Sequence, residues 1–247
     1  MRVGTLSRKQ REIAEREELI LDVATRLLAE GGFHHLSMER VAEAIEYSKG
    51  TVYQHFSCKE DILAAVTRRN VERRTAFFGR ALTLEGTTRE RMTAVGAAYD
   101  VLMKLYPDGC GAEALFHASH MREKASEACW AEIAAADAEC DSIVGGLIQE
   151  AIEGEELPMR DANTLKALYF GLWAISWGSY QILETVRPDE LLERGFEDPI
   201  GLLHGNQERL LDGFGWQPLS TEHDYDAVRQ RAREELFAEE LQRIAAR

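Results

Sequence analysis

Cysteine is scarce in this sequence, and its four copies are scattered: Cys58, Cys110, Cys129 and Cys140 form no C-x-x-C pair. That excludes a dense disulfide framework and points to free thiols in a reducing compartment. Cys129 and Cys140 fall three turns apart on one expected helix, about 16 Å, too far to bridge. Only 5 prolines occur in 247 residues, and no low-complexity linker is present. Long apolar runs are missing too. The uncharged stretch from Ala167 to Tyr180 falls short of the about 20 residues a membrane span needs. The chain turns polar directly after Met1, so no secretory segment is expected and a cytoplasmic protein follows. Catalytic signatures are also absent: no G-x-S-x-G, Walker loop, H-E-x-x-H or dinucleotide fingerprint occurs. An enzyme is therefore not expected, nor is a cofactor.

What is present is charge, unevenly placed. The net charge of −14 argues at first sight against a nucleic-acid partner. Residues 1–59, however, hold nine Lys/Arg against nine Asp/Glu, so the 20 basic and 34 acidic residues that remain place the whole excess in residues 60–247. Arg2, Arg8, Lys9 and Arg11 stand in the first eleven residues with no acid among them. Such asymmetry suits a basic-to-neutral end that approaches phosphate and an acidic body that resists non-specific coating of DNA.

The neutral end reads as short helices. Ser7-x-x-Gln10 has capping-box form, and Ile13, Ile20, Ala24, Leu27 and Leu28 follow at helical spacing until Gly31-Gly32. Ser37 is the expected cap of a second helix with Met38, Val41, Ala42 and Ile45 on one face. After the turn Glu46-Tyr47-Ser48, a third helix runs from Lys49 to Phe56, anchored by Val52 and Phe56 at i, i+4. Its other side spreads Gly50, Thr51, Tyr53 and Gln54 and holds no carboxylate. Glutamine pairs bidentately with adenine, and threonine meets a thymine methyl or a phosphate. His55 flanks this side within reach of a phosphate. Ser57-x-x-Glu60 opens a fourth helix whose Lys59 stands beside its N-terminus, a position suited to phosphate. Three short helices with an open third are the geometry of a DNA-reading helix-turn-helix. The competing reading is a small helical bundle with an ordinary polar surface.

The run Leu36-Ser-Met-x-x-Val41-Ala-x-x-Ile45-x-x-Ser48-Lys-Gly-Thr51-Val-Tyr53-x-His55-Phe56-x-x-Lys59-Glu60 closely resembles the DNA-binding domain of the TetR/AcrR repressors. The likeness covers roughly residues 10–65. It implies a helix-turn-helix from Val41 to Phe56, with Ser48, Lys49, Gly50, Thr51, Tyr53, Gln54 and His55 where family members touch DNA. It further implies backbone contacts near Ser37 and Met38 and a phosphate-binding role for Lys59. One position departs from the pattern: Glu46 stands where the turn usually has glycine, which requires another turn conformation or a strain of about 1 kcal/mol.

Beyond residue 60 the pattern stays helical, with no strand alternation, so an all-α chain is expected. The expected division is a helix-turn-helix domain at 7–60, a helical effector-binding and dimerisation domain at 61–220, and a C-terminal amphipathic helix at 221–247. The segment around 161–185 is apolar nearly all round, with Leu168, Leu172 and Ile175 on one side and Tyr169, Trp173, Trp177 and Tyr180 on another. Core burial within one subunit accounts for that pattern. The resemblance instead implies a homodimer interface made by this helix and the one at 199–213, which would set two recognition helices about 34 Å apart on a palindrome. Phe116, His117, His120, Trp130, Trp173 and Trp177 are the candidate effector-binding residues, with simple core packing the alternative for each. Cys110, Glu113, His117 and His120 have spacing that suits zinc, nickel or copper, but an ordinary polar stripe explains them better, and no metal is expected. The resemblance thus implies a repressor of double-stranded operator DNA that releases it when a small apolar or aromatic effector binds. The alternative is a constitutive DNA-binding or protein-interaction module.

Overall fold

A computed structural model describes residues 7–117 and 124–246, and within them Cys110 and His117 only as backbone. All regular structure among the described residues is helical. The chain divides into two compact units: residues 1–70 with 108–135, and residues 71–107 with 136–247.

In the first unit, α1 (Arg8–His35) starts at the expected capping box: the Ser7 hydroxyl accepts from the Gln10 N–H at 3.3 Å, and the Gln10 side chain accepts from the Ser7 N–H at 2.9 Å. Its helical backbone breaks at Gly31-Gly32, where Gly32 takes φ 66°, and one more turn runs on to His35. Helices α2 (Met38–Ala44) and α3 (Lys49–Tyr53) follow. Then come the first part of α4 (Lys59–Ala81), all of α6 (Asp108–His117) and the start of α7 (Glu127–Glu153). Ile20, Leu21, Ala24 and Leu28 of α1 meet Val41, Ala42 and Ile45, Val52 and Phe56, Ile62 to Val66 of α4, and Phe116 of α6 in one apolar core. Ile13, which shares the stripe by spacing, lies outside that core and is 41% exposed. The α4 helix is fastened to α1 by Arg69, whose guanidinium donates to Glu18 (3.0 Å), Asp22 (2.8 Å) and Thr25 (3.0 Å).

The second unit is built around α5 (Thr88–Leu105), capped by a Thr87–Glu90 box and buried on nearly every side. Helices α8 (Thr164–Thr185) and α10 (Pro199–Phe214) pack so closely that a Cβ at Gly171 would stand 2.9 Å from Leu210. A six-residue α9 (Pro188–Glu193), not anticipated from the sequence, lies between them in the chain. The single C-terminal helix expected over 221–247 is in fact two, α11 (Tyr225–Leu236) and α12 (Ala238–Ala245), broken at Phe237 (φ −130°, ψ 24°). Burial explains the break. Phe237 is fully buried and stacks on Phe77, ring centroids 5.3 Å apart, while Arg80 lies over its ring at 4.6 Å and bonds both the Leu236 carbonyl and Glu240.

Polar groups cross this unit. Asp100 of α5, 2% exposed, accepts from the Tyr180 hydroxyl of α8 (2.5 Å) and Arg233 of α11 (2.6 Å) and pairs with His204 of α10 (2.8 Å). Burial alone would raise the Asp100 pKa, but these partners outweigh it and hold the carboxyl below its ordinary range. Arg89, fully buried, donates to Asp212 (2.6 Å) and the Trp216 carbonyl and lies 4.6 Å over the Tyr225 ring.

Candidate nucleic-acid interface

Each helix of the 37–56 segment begins at a serine. The Ser37 hydroxyl accepts from the Arg40 N–H at 3.2 Å, and Ser48 accepts from the Thr51 N–H at 3.1 Å. Ser48 Oγ also lies 2.9 Å from the Thr51 hydroxyl. Both caps are local, and both satisfy amide groups that a helix leaves open. Between the helices, Glu46 sits at φ 57°, the left-handed region where glycine is favoured. The turn therefore keeps the glycine-type conformation with a glutamate in it.

The helix expected to run to Phe56 ends at Tyr53, with Gln54 as its C-cap, and burial sorts the side chains of α3 and of residues 54–56 that follow it. Val52 and Phe56 enter the core, while Lys49, Gly50, Tyr53 and Gln54 are exposed and Thr51 and His55 half-buried. Tyr53 is 47% exposed, too open for a core aromatic. Met38 goes the other way: its side chain is buried. Burial pushes the His55 imidazole below its ordinary pKa. Lys59 donates to the Phe33 carbonyl at 3.1 Å and lies 4.0 Å from the Phe33 ring centroid, at the end of α1.

Two features of this surface escape the sequence pattern. Glu39, in the first turn of α2, forms an ion pair with Lys49 at the start of α3. Arg16 of α1 lies 5.1 Å over the ring of Tyr47, which is 45% exposed in the turn. Both pairings are tertiary, so spacing alone gives no sign of them. The absence of carboxylates expected on the open side of α3 holds for α3 itself, but Glu39 brings one in from α2.

The candidate effector residues do not form one group. Phe116 and Trp130 belong to the first unit, where Phe116 is 1% exposed and the two rings stand 4.5 Å apart. Trp173 and Trp177 belong to the second unit. Trp173 is 55% exposed on α8 beside Phe170, and Trp177 is half-buried. Glu113 is buried on α6. His120 and the side chains of Cys110 and His117 lie outside the described residues. Among the described residues no group of three His, Cys, Asp or Glu is placed to hold a metal ion, and no helix is long and apolar enough to cross a membrane.

Two short capped helices, a left-handed turn between them and an open polar side on the second define a helix-turn-helix module. Residues 20–66 match the family model of the bacterial regulatory proteins, tetR family. It is 31% identical over 85 residues to the HTH-type transcriptional activator FasR of Mycolicibacterium smegmatis, covering 34% of this chain and 39% of FasR. It is 33% identical over 78 residues to the HTH-type transcriptional repressor KstR of the same organism, covering 32% of this chain and 38% of KstR. The chain thus matches less than half the length of either curated relative. The fold extends much further. A tetR-family regulatory protein from Rhodococcus RHA1 superposes with a TM-score of 0.63 at 16% identity, over 81% of this chain and 97% of that one. The transcriptional regulator FadR from Bacillus subtilis, in complex with stearoyl-CoA, superposes with a TM-score of 0.57 at 17% identity, over 79% of this chain and 98% of its own.

Proposed function

We propose that the protein is a sequence-specific, DNA-binding transcriptional regulator, a repressor that releases a palindromic operator when a small apolar or aromatic effector binds its second unit. The observation that carries this reading is the division of residues 49–56: Val52 and Phe56 hold the segment to the core while Lys49, Gly50, Tyr53 and Gln54 stay open beyond the Ser48 cap. Those side chains suit base edges and phosphates in a major groove. Ser37, Ser48, Thr51, His55 and Lys59 complete the contact set, with Met38 acting through its main chain.

Reading a palindrome calls for two copies. Phe170, Trp173 and Ile182 on α8 and Leu202 on α10 are all more than 40% exposed, an apolar face that suits pairing of α8 and α10 between copies. Release by an effector is a population shift, which requires tighter binding to the DNA-incompetent state. Helices α4 and α7 each contribute residues to both units and are the route by which such a shift would reach α3. The stearoyl-CoA complex of FadR favours a ligand with a long apolar part, which the second unit would take. No enzymatic role is assigned.

The test is fluorescence anisotropy of the full-length protein on tiled DNA from around its own gene, at two salt concentrations. Tight binding to one tile that survives competitor DNA and is lost in Tyr53→Ala supports the reading. Weak binding that salt erases on every tile counts against it. A tile held tightly that no apolar compound releases points to a constitutive DNA-binding protein.

A further inference from the structure

The Glu39–Lys49 pair carries an inference that rests on the DNA-binding reading and deepens it. Lys49 is the first residue of α3 and Glu39 the second of α2, and the Ser48 and Ser37 caps fix both helix starts. Both side chains are open to water, 49% and 60% exposed, so an anion from solution reaches them without rearrangement of the core. Lys49 is also 5.6 Å from the Tyr53 ring centroid, which keeps the ammonium on the side of α3 that the proposal assigns to DNA. The other lysine of this surface, Lys59, is held by a carbonyl and an aromatic ring. Lys49 alone of the two is held by a carboxylate, the group closest in charge and geometry to a phosphate oxygen. The pairing lowers the Glu39 pKa and raises that of Lys49, each chiefly through the hydrogen bond between them.

We propose that Glu39 is a built-in phosphate surrogate, occupying Lys49 in the free protein until a DNA phosphate displaces it. Binding of DNA then exchanges one anion for another at Lys49 and leaves the Glu39 carboxylate unpaired close to the duplex. Glu39 accordingly restrains the electrostatic part of binding, which every duplex shares.

The experiment uses the full-length protein, the genomic tile it retains and a random-sequence duplex, with Glu39→Gln, Lys49→Gln and the double variant compared by anisotropy across a salt series. Glu39→Gln is expected to tighten both duplexes about two- to fivefold per protomer at low salt, the range of an exposed ion pair. Its salt slope should steepen by up to about one for each lysine released. In the Lys49→Gln background the same substitution should give a clearly smaller gain, because the lysine it frees is gone and only the charge close to the duplex is removed. An unchanged affinity in Glu39→Gln would overturn the inference. So would a gain undiminished without Lys49, which would mean general repulsion alone, or a loss confined to the genomic tile, which would mean that Glu39 contacts a base. If the unsubstituted protein binds neither duplex at any salt, the DNA-binding reading itself fails and takes this inference with it.

Discussion

The helix-turn-helix segment of the first unit and the interior of the second treat their polar groups in opposite ways. In α2 and α3 the polar contacts are short-range or open to water: Ser37 and Ser48 each bond an amide three residues on, and the Glu39–Lys49 pair is solvent-exposed. In the second, polar groups are buried and bridge distant helices, Asp100 meeting residues 80, 104 and 133 positions away. An exposed surface can leave polar groups to water, whereas a packed interior must satisfy each of them. Substitutions should therefore damage different properties in the two units, and that expectation can be broken.

The largest effect is expected at Asp100. In Asp100→Ala the Tyr180 hydroxyl, His204 and Arg233 lose a shared acceptor in a site that is almost dry. Unfolding by urea should register a loss of about 3 kcal/mol, the lower end for breaking a buried pair because Arg233 retains some access to water. A loss under about 1 kcal/mol would remove the contrast between the units. The same carboxylate predicts a pH dependence. Its pKa is depressed in the folded state, so its contribution is present above the ordinary carboxylate range and lost as pH falls through the depressed value. Thermal midpoints measured from neutral to acid pH should fall most steeply below about pH 4, and less steeply in Asp100→Asn.

On the open side of α3 the effect should move from stability to affinity. Gln54→Ala is expected to weaken the retained genomic duplex by about 1–3 kcal/mol, the range for a bidentate base contact. Its unfolding midpoint should stay within about 0.5 kcal/mol of the parent. If stability falls with affinity, Gln54 supports the helix rather than the contact. Ser48→Ala should behave the opposite way from Gln54→Ala in stability, costing about 0.5–2 kcal/mol through the lost cap. Hydrogen exchange at the Thr51 amide, which that cap protects, provides a residue-level check.

The same contrast explains what was legible in the sequence. The caps at Ser7, Ser37, Ser48 and Thr87 stand within three residues of the amides they bind, so the chain announces them. The buried face of α2 and α3 follows from periodicity for the same reason. Asp100, Arg89 and the Glu39–Lys49 pair depend on which helices meet, and no local pattern encodes that. Phe237 shows the limit from another side. The amphipathic pattern runs through it without glycine or proline, and only its burial against Phe77 and the grip of Arg80 break the helix. Trp173 and Trp177 were legible as an apolar face, but that Trp173 is exposed and Trp177 half-buried depends again on which helices meet.

The smallest effect is expected where a local rule is violated. Glu46 occupies φ 57° in the turn, and its charge lies beside a surface proposed to meet phosphate. A left-handed conformation costs a non-glycine residue about 1 kcal/mol, whereas glycine has more backbone freedom to lose on folding. The two terms partly cancel, so Glu46→Gly should stabilise the protein by no more than about 1 kcal/mol. Removing the charge should also tighten random and genomic duplexes alike, with a gain that fades as salt rises. Glu46→Gln separates the terms: it keeps the strain and removes the charge, so it should reproduce the gain in affinity without the gain in stability. If Glu46→Gly instead destabilises the protein, the glutamate side chain contributes to the turn more than its backbone angle costs, and the open surface of the first unit is less passive than its exposure implies.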